Sequence, residues 1–171
     1  VENIIAQAMR LLTAETQRRG EKSERSRRLG VSAVNTDLNG ERFLITVGGT
    51  REAIDPVRFI SNHSSGKMGF AMAAAAAARG AEVTVVAGVT AVEPPSGVKV
   101  IRAVSAEEMH KAVSSELQNA TVFVGAAAVA DYAPANAADA KIKKDGRDTM
   151  MLELKKTPDI LSEVSKNRQT G

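Results

Sequence analysis

The chain contains no cysteine and no tryptophan, a single tyrosine and two histidines in 171 residues. The missing thiols exclude a disulfide framework, a thiolate metal site and a cysteine nucleophile, and two histidines leave little for a zinc centre. Aromatic residues make up 3% of the chain, too few for the stacking platform that grips single-stranded nucleic acid. No apolar run approaches the roughly 18 residues a membrane span needs, and the first 20 positions lack the apolar core and cleavage site of a signal peptide. The chain therefore reads as soluble and cytoplasmic, with no membrane partner.

What is present is a globular composition, 43% apolar and 25% charged, suited to one α/β domain with or without an arm. The net charge of +3 is local. Of 23 basic and 20 acidic residues, six and two lie in RRGEKSERSRR, residues 18–28, which leaves 17 against 18 elsewhere. That tract reads as a solvated linker, with a nucleic-acid-binding arm as the alternative. Before it, Val1 to Gln17 has helical composition with an apolar face, and the chain starts with Val; it is expected to be the tail of an upstream unit. Residues 1–42 are thus read as helix plus linker, and 43–171 as the domain.

Within the domain, Phe43 to Val47 is a short apolar run stopped by Gly48 and Gly49, as expected of a strand buried on both faces of a parallel sheet. Lys67 to Arg79 predicts a helix, since seven of the eight residues from Ala71 to Ala78 are alanine and Gly80 supplies a stop. So few bulky side chains allow it to pack close to a sheet. Strands are predicted at Glu82 to Ala87, Val98 to Arg102 and Thr121 to Ala126, with a further one at Met150 to Leu154. Ser105 and Glu108 form a capping-box pattern for a helix to about Leu117, and Thr157 and Pro158 suit the N-cap and first turn of a last helix to about Lys166. Alternating strands and helices make the fold class α/β, a doubly wound and mostly parallel sheet, which binds ligands beyond the carboxyl ends of its strands.

Two loops occupy those ends. The first, Gly48 to Gly66, runs for 19 residues where two to six are usual, so it is expected to be functional. Its end, Ser64, Ser65 and Gly66 before Lys67, places small residues and unpaired N–H groups at a helix start, which favours an anion. It is neither a Walker A loop, because Met68 follows Gly66-Lys67, nor a G-x-G-x-x-G fingerprint. Asp55-Pro56 could be only a turn and Arg58 only a surface charge, and His63 receives no role. The Asn62 carboxamide could hold a substrate carbonyl or bond its own backbone.

The second loop begins with Gly125, Ala126, Ala127 and Ala128, flat enough for a ring to lie against exposed backbone. Asp131 could serve a ribose hydroxyl or a metal that also holds phosphates, or it could make an Asx turn. Further on, Lys141 to Arg147 holds four basic residues and one acidic residue; it reads as a flap closing over phosphates or as an exposed basic hairpin.

Four segments in order, DPVRFISNHSSGKMG (Asp55 to Gly69), AAVADYAP (Ala127 to Pro134), KIKK (Lys141 to Lys144) and TPDIL (Thr157 to Leu161), closely resemble the phosphopantothenoylcysteine synthetase family. In many bacteria that family forms the C-terminal half of a two-activity coenzyme A biosynthesis protein. The resemblance covers Phe43 to Gly171. It implies a Rossmann-like fold, a homodimer, CTP as co-substrate and Mg2+ as the metal, with metal ligands that the sequence leaves unknown. It further implies that 4′-phosphopantothenate is activated to an acyl-cytidylate and then joined to L-cysteine, and that a phosphopantothenoylcysteine decarboxylase is fused or associated. Residue by residue, Asn62 matches the asparagine that turns over the acyl-cytidylate, Arg58 a substrate-side arginine, and Lys141 the flap lysine on CTP. Gly125, Ala126 and Ala127 match the cytosine-facing backbone, Asp131 the nucleotide aspartate, and Ser64, Ser65 and Gly66 the phosphate-holding helix start. Ala133 stands where family members often carry a basic residue, and the resemblance implies further strands beyond Gly171, so the sheet is expected to be cut short there. The competing readings are an NAD(P)-dependent oxidoreductase, from the fold alone, and a nucleic-acid-binding module acting through residues 18–28.

Overall fold

A computed structural model describes residues 36–143, 146 and 148–168. The helix read at Val1 to Gln17, the basic linker, and Lys144, Asp145 and Arg147 of the flap lie outside the described residues.

The central sheet contains β1 (Arg42–Val47), β4 (Glu82–Ala87), β5 (Lys99–Arg102) and β6 (Val122–Gly125), all parallel, in the order β5-β4-β1-β6. The chain builds outward from β1 to β4 and β5, then returns past β1 to lay down β6. The topological switch point therefore falls between β1 and β6. Side chains of β1 alternate across the sheet. Phe43, Ile45 and Val47 join one buried cluster with Phe70, Ala73 and Ala76 of α1 (Lys67–Ala78). Leu44 joins the other with Met109 and Val113 of α2 (Ala106–Glu116), and with Ile160 and Val164 of α3 (Ile160–Arg168). Both faces are covered, which is why β1 is apolar throughout its centre. A Leu38 turn closes the lower edge, where the Asp37 and Arg79 side chains form an ion pair.

The thin helix packs as the sequence predicts. A Cβ built at Gly69 would stand 2.6 Å from Val47 Cγ2, so α1 approaches β1 at backbone distance. The Ser105 capping box forms, with the Glu108 amide donating to Ser105 Oγ at 3.1 Å and Glu108 Oε2 accepting from the Ser105 amide at 3.4 Å. His110 on α2 meets Glu163 on α3 at 2.5 Å.

Three expectations change. The long first loop is not irregular: it folds into an antiparallel hairpin of β2 (Arg51–Ala53) and β3 (Phe59–Ser61). Three-residue strands are too short to show periodicity, and this pair is held partly by the Arg51 guanidinium over the Phe59 ring at 4.4 Å. The strand predicted at Met150 to Leu154 is displaced to β8 (Leu154–Lys156), which pairs antiparallel with β7 (Tyr132–Pro134) outside the central sheet. Cross-strand partners, not local propensity, select its register. Finally, Thr157 is not the cap of α3. Asp159 Oδ1 accepts from the Ser162 amide at 2.9 Å, while the Thr157 hydroxyl donates to the Ala130 carbonyl at 2.6 Å.

Candidate functional site

Beyond β1 the chain turns at Gly48, with φ 84° and a built Cβ only 2.6 Å from the Val89 carbonyl oxygen; only glycine takes that turn without strain. Gly49 then runs between Val89 and Ala128 as a short extension of the sheet. The Gly49 amide donates to Val89 O at 3.0 Å, the Val89 amide to Gly49 O at 2.8 Å, and the Ala128 amide to Gly48 O at 2.7 Å. Two buried threonines complete the bridge: Thr46 Oγ1 accepts from the Ala127 amide at 3.3 Å and Thr50 Oγ1 from the Ala130 amide at 3.0 Å. The two loops singled out in the sequence are thus stitched together over the switch point.

This stitching corrects one expectation. The amides of Ala126, Ala127 and Ala128 are not open to a ligand, because they donate to Thr46 O, Thr46 Oγ1 and Gly48 O. The carbonyls of Ala126 and Ala127 accept from no described residue.

On one side of the stitch lies a hollow of about 590 Å³, lined by Gly125, Ala127, Asp131, Lys156, Thr157 and Asp159 among others. It lies outside the carboxyl end of β6 and is floored by Thr46 and Phe123. The Asp131 carboxylate is exposed and has no hydrogen-bond partner among the described residues, so no Asx turn forms; its main-chain oxygen instead accepts from the Thr157 amide at 3.0 Å. Lys156 pairs across from Tyr132 and lines the same hollow as Asp131. Lys156 and Thr157 escaped the sequence-based choice of site residues, although Thr157 opens a quoted motif, because only the β7–β8 pairing brings that segment to the hollow.

On the other side is a smaller hollow of about 370 Å³, lined by Gly49, Arg51, Asn62, His63 and Ser64 with Phe59, Ser61 and Val89. Asn62 bonds not to its own backbone but across the stitch, its Nδ2 donating to Val129 O at 3.0 Å. Val129 lines the larger hollow, so the two hollows share this one contact. Ser65 and Gly66 stand outside both linings. The Ser65 carbonyl accepts from the Ala91 amide at 3.0 Å, and Gly66, at φ 77°, begins α1 with no side-chain cap. No acidic side chain occupies the first turn of α1, which leaves the positive end of its dipole uncompensated.

The hairpin turn carries the third element. Asp55 is buried, and its Oδ1 accepts from the amides of Val57 at 2.9 Å and Arg58 at 2.8 Å. Its Oδ2 accepts from Arg58 Nε at 3.0 Å and Nη2 at 2.5 Å, and from the Ile142 amide at 3.1 Å. The Arg58 guanidinium holds the carboxyl well below the usual carboxylate range, helped by the three amides and opposed by burial. Arg58 is therefore engaged inside the protein, also donating from Nη2 to Ile142 O at 3.0 Å, while its side chain remains 41% exposed. Lys141, the neighbour of Ile142, is exposed and lines neither hollow. Its neighbour Ile142 is tied to the turn of the same hairpin whose other end leads into Asn62. Among the described residues, no group of three or more His, Asp or Glu side chains gathers to hold a metal, and no helix is long and apolar enough to cross a membrane.

Residues 38–171 match the family described as the DNA/pantothenate metabolism flavoprotein C-terminal domain. The chain belongs to this family. It is the phosphopantothenoylcysteine synthetase family that the sequence motifs resemble. The chain is 53% identical over 129 residues to the coenzyme A biosynthesis bifunctional protein CoaBC of Vibrio cholerae, covering 75% of this chain and 32% of that protein. It is 50% identical over 140 residues to the protein of the same name from Mycobacterium tuberculosis, covering 81% and 34%. The solved C-terminal domain of a CoaBC protein superposes with a TM-score of 0.66 at 45% identity, over 77% of this chain and 61% of that one. The chain spans about a third of the length of the curated relatives it matches. The Rossmann-like arrangement expected from the sequence is the one observed.

Proposed function

We propose that this domain carries the ligase step of coenzyme A biosynthesis, joining 4′-phosphopantothenate to L-cysteine through a CTP-derived acyl-cytidylate. The observation that carries the reading is the Asn62–Val129 contact at the switch point, which unites the two motif-bearing loops between two hollows of unequal size. Family membership supports the substrate class, and the free carbonyls beside Gly125 support recognition of an aminopyrimidine.

In this reading the substrate carboxylate attacks the α-phosphorus of CTP and pyrophosphate leaves. The cysteine amine then attacks the acyl carbon, CMP leaves, and the amine loses a proton as the amide forms. Asn62 keeps one amide hydrogen on Val129 and offers the other to the acyl carbonyl, where negative charge develops. The start of α1, with Ser64, Ser65 and Gly66, holds phosphate by its dipole and by first-turn amides beyond Lys67, whose own N–H donates to Ser65 Oγ at 3.4 Å. Lys141 neutralises the triphosphate from the flap, and the exposed edge of Arg58 faces the acid substrate. Gly125, Ala126 and Ala127 present acceptors to the base, and Asp131 takes the ribose or the metal.

The residues present fit Mg2+, which is commonly held by one or two carboxylates together with substrate phosphates; Asp131 offers an unpartnered carboxylate of that kind. When bound, Mg2+ would offset the charge of a carboxylate approaching a triphosphate. A cytoplasmic homodimer fused to or associated with the flavin-dependent decarboxylase completes the proposal. No membrane or nucleic-acid partner forms part of it. The oxidoreductase alternative gains no support, because the β1–α1 connection is a hairpin and not a tight glycine turn.

Pyrophosphate release by the intact protein tests the reading. It should require CTP and 4′-phosphopantothenate together, with amide product appearing only after L-cysteine is added. Release independent of the acid substrate, or tight NADH binding in place of CTP, would overturn it.

A further inference from the structure

Ile142 is pinned by both halves of its own backbone. Its amide donates to Asp55 Oδ2 at 3.1 Å and its carbonyl accepts from Arg58 Nη2 at 3.0 Å, across more than 80 residues of chain. A second anchor lies four residues earlier, where the Ala138 amide donates to Ile54 O at 2.9 Å. The Asp55 turn does not need this contact to form, since the Val57 and Arg58 amides already close it on Oδ1. The remaining oxygen, buried and charge-balanced by Arg58, instead reaches the segment that carries Lys141.

We propose that Asp55 is a positioning residue: its Oδ2, with Arg58, clamps the peptide groups of Ile142 and so sets where the Lys141 ammonium stands. The proposal rests on the nucleotide role given to Lys141 above. Consecutive Cα atoms lie about 3.8 Å apart, so a clamp on Ile142 confines the root of the Lys141 side chain. That root is also held to the hairpin leading into Asn62. An unclamped lysine would have to be ordered each time nucleotide bound, which weakens binding. Neither Asp55 nor Ile142 need touch the substrate.

Asp55→Asn tests this with little change in size. Its oxygen can keep the two turn amides, but its NH2 group then faces two donors, Arg58 and the Ile142 amide. In the intact protein, trypsin should cleave after Lys141 and Lys143 about tenfold faster than in the wild type, as expected for losing a charge-assisted hydrogen bond. The KM for CTP should rise about tenfold while the KM for L-cysteine stays unchanged. On a Lys141→Gln background the same substitution should add nothing further to the CTP KM, because it acts through that lysine.

Unchanged cleavage in a folded Asp55→Asn protein would overturn the clamp. A Lys141→Gln variant with impaired nucleotide use beside a normal Asp55→Asn would overturn the positioning role and leave the ligase reading intact. Normal CTP kinetics in Lys141→Gln would sink the role of Lys141 and with it the positioning role, the cleavage rates still reporting the clamp alone. Should Asp55→Asn fail to fold, hydrogen exchange at the Ile142 amide of the wild type decides: protection supports the clamp, and exchange at the free-peptide rate overturns it.

Discussion

The side-chain amide of Asn62 donates to the main-chain carbonyl of Val129 at 3.0 Å, joining residues 67 positions apart. Asn62→Asp removes that donor and sets negative charge beside a carbonyl. If Asn62 also serves the acyl carbonyl, kcat should fall by roughly 10²-fold, in line with the loss of one preorganised donor, and acyl-cytidylate should build up. Rapid quench of a single turnover, followed by chromatography, checks this. A wild-type rate with no accumulated intermediate would remove Asn62 from the chemistry.

Acid should weaken the molecule through Asp55. Its carboxyl is held below the usual range by the Arg58 guanidinium and the surrounding amides. A depressed folded pKa contributes stability in full above the unfolded value, about pH 4, and loses it as pH falls through the folded value. The stability gap between wild type and Asp55→Asn should therefore be steady above about pH 5 and shrink below about pH 4. Asp37, lowered by Arg79, titrates in the same sense, which is why the comparison is made as a difference. A gap that does not change down to about pH 2 would contradict the assignment.

Gly48→Ala should disturb both hollows at once. The new methyl group would be forced into a left-handed backbone at φ 84°, 2.6 Å from the Val89 oxygen. Strain of this kind costs about 1–3 kcal/mol, and relief would require Gly49 to leave Val89 and Ala128. Urea unfolding measures the loss of stability, and CTP binding should weaken with it.

Thr157→Val keeps the shape of the side chain but leaves the carbonyl of buried Ala130 without its 2.6 Å donor. Such an orphaned group costs roughly 1–3 kcal/mol. The wall of the larger hollow should loosen, seen as faster amide exchange at Thr157, whose N–H donates to Asp131 O. Unaltered stability and exchange would show that the hydroxyl is dispensable.

Local chemistry was legible wherever one segment sufficed. The apolar run of β1, the alanine helix ended by Gly80, and the Ser105–Glu108 box each follow from side-chain size, backbone propensity or a reciprocal bond spanning three residues. The β2–β3 hairpin was not legible, because REA and FIS carry no pattern until they face each other. Likewise, nothing local distinguishes Thr157 from Asp159 as a cap. Among the site residues, Gly125, Ala127 and Asp131 meet in one hollow, while Asn62 and Ser64 fall in the other.

By itself, then, the sequence determined the alternation of strands and helices, the two loops where chemistry could gather, and the family its motifs resemble. Tertiary structure alone decided that those loops would be sewn together by Thr46, Thr50 and Gly49, that the amides of Ala126 and Ala127 would be taken up by Thr46, and that Asp55 would hold Ile142. The physical reason is range. Propensity and periodicity act within a few residues, whereas these contacts close loops of some 70 to 90 residues, and are favourable only after the parallel sheet has brought their ends together.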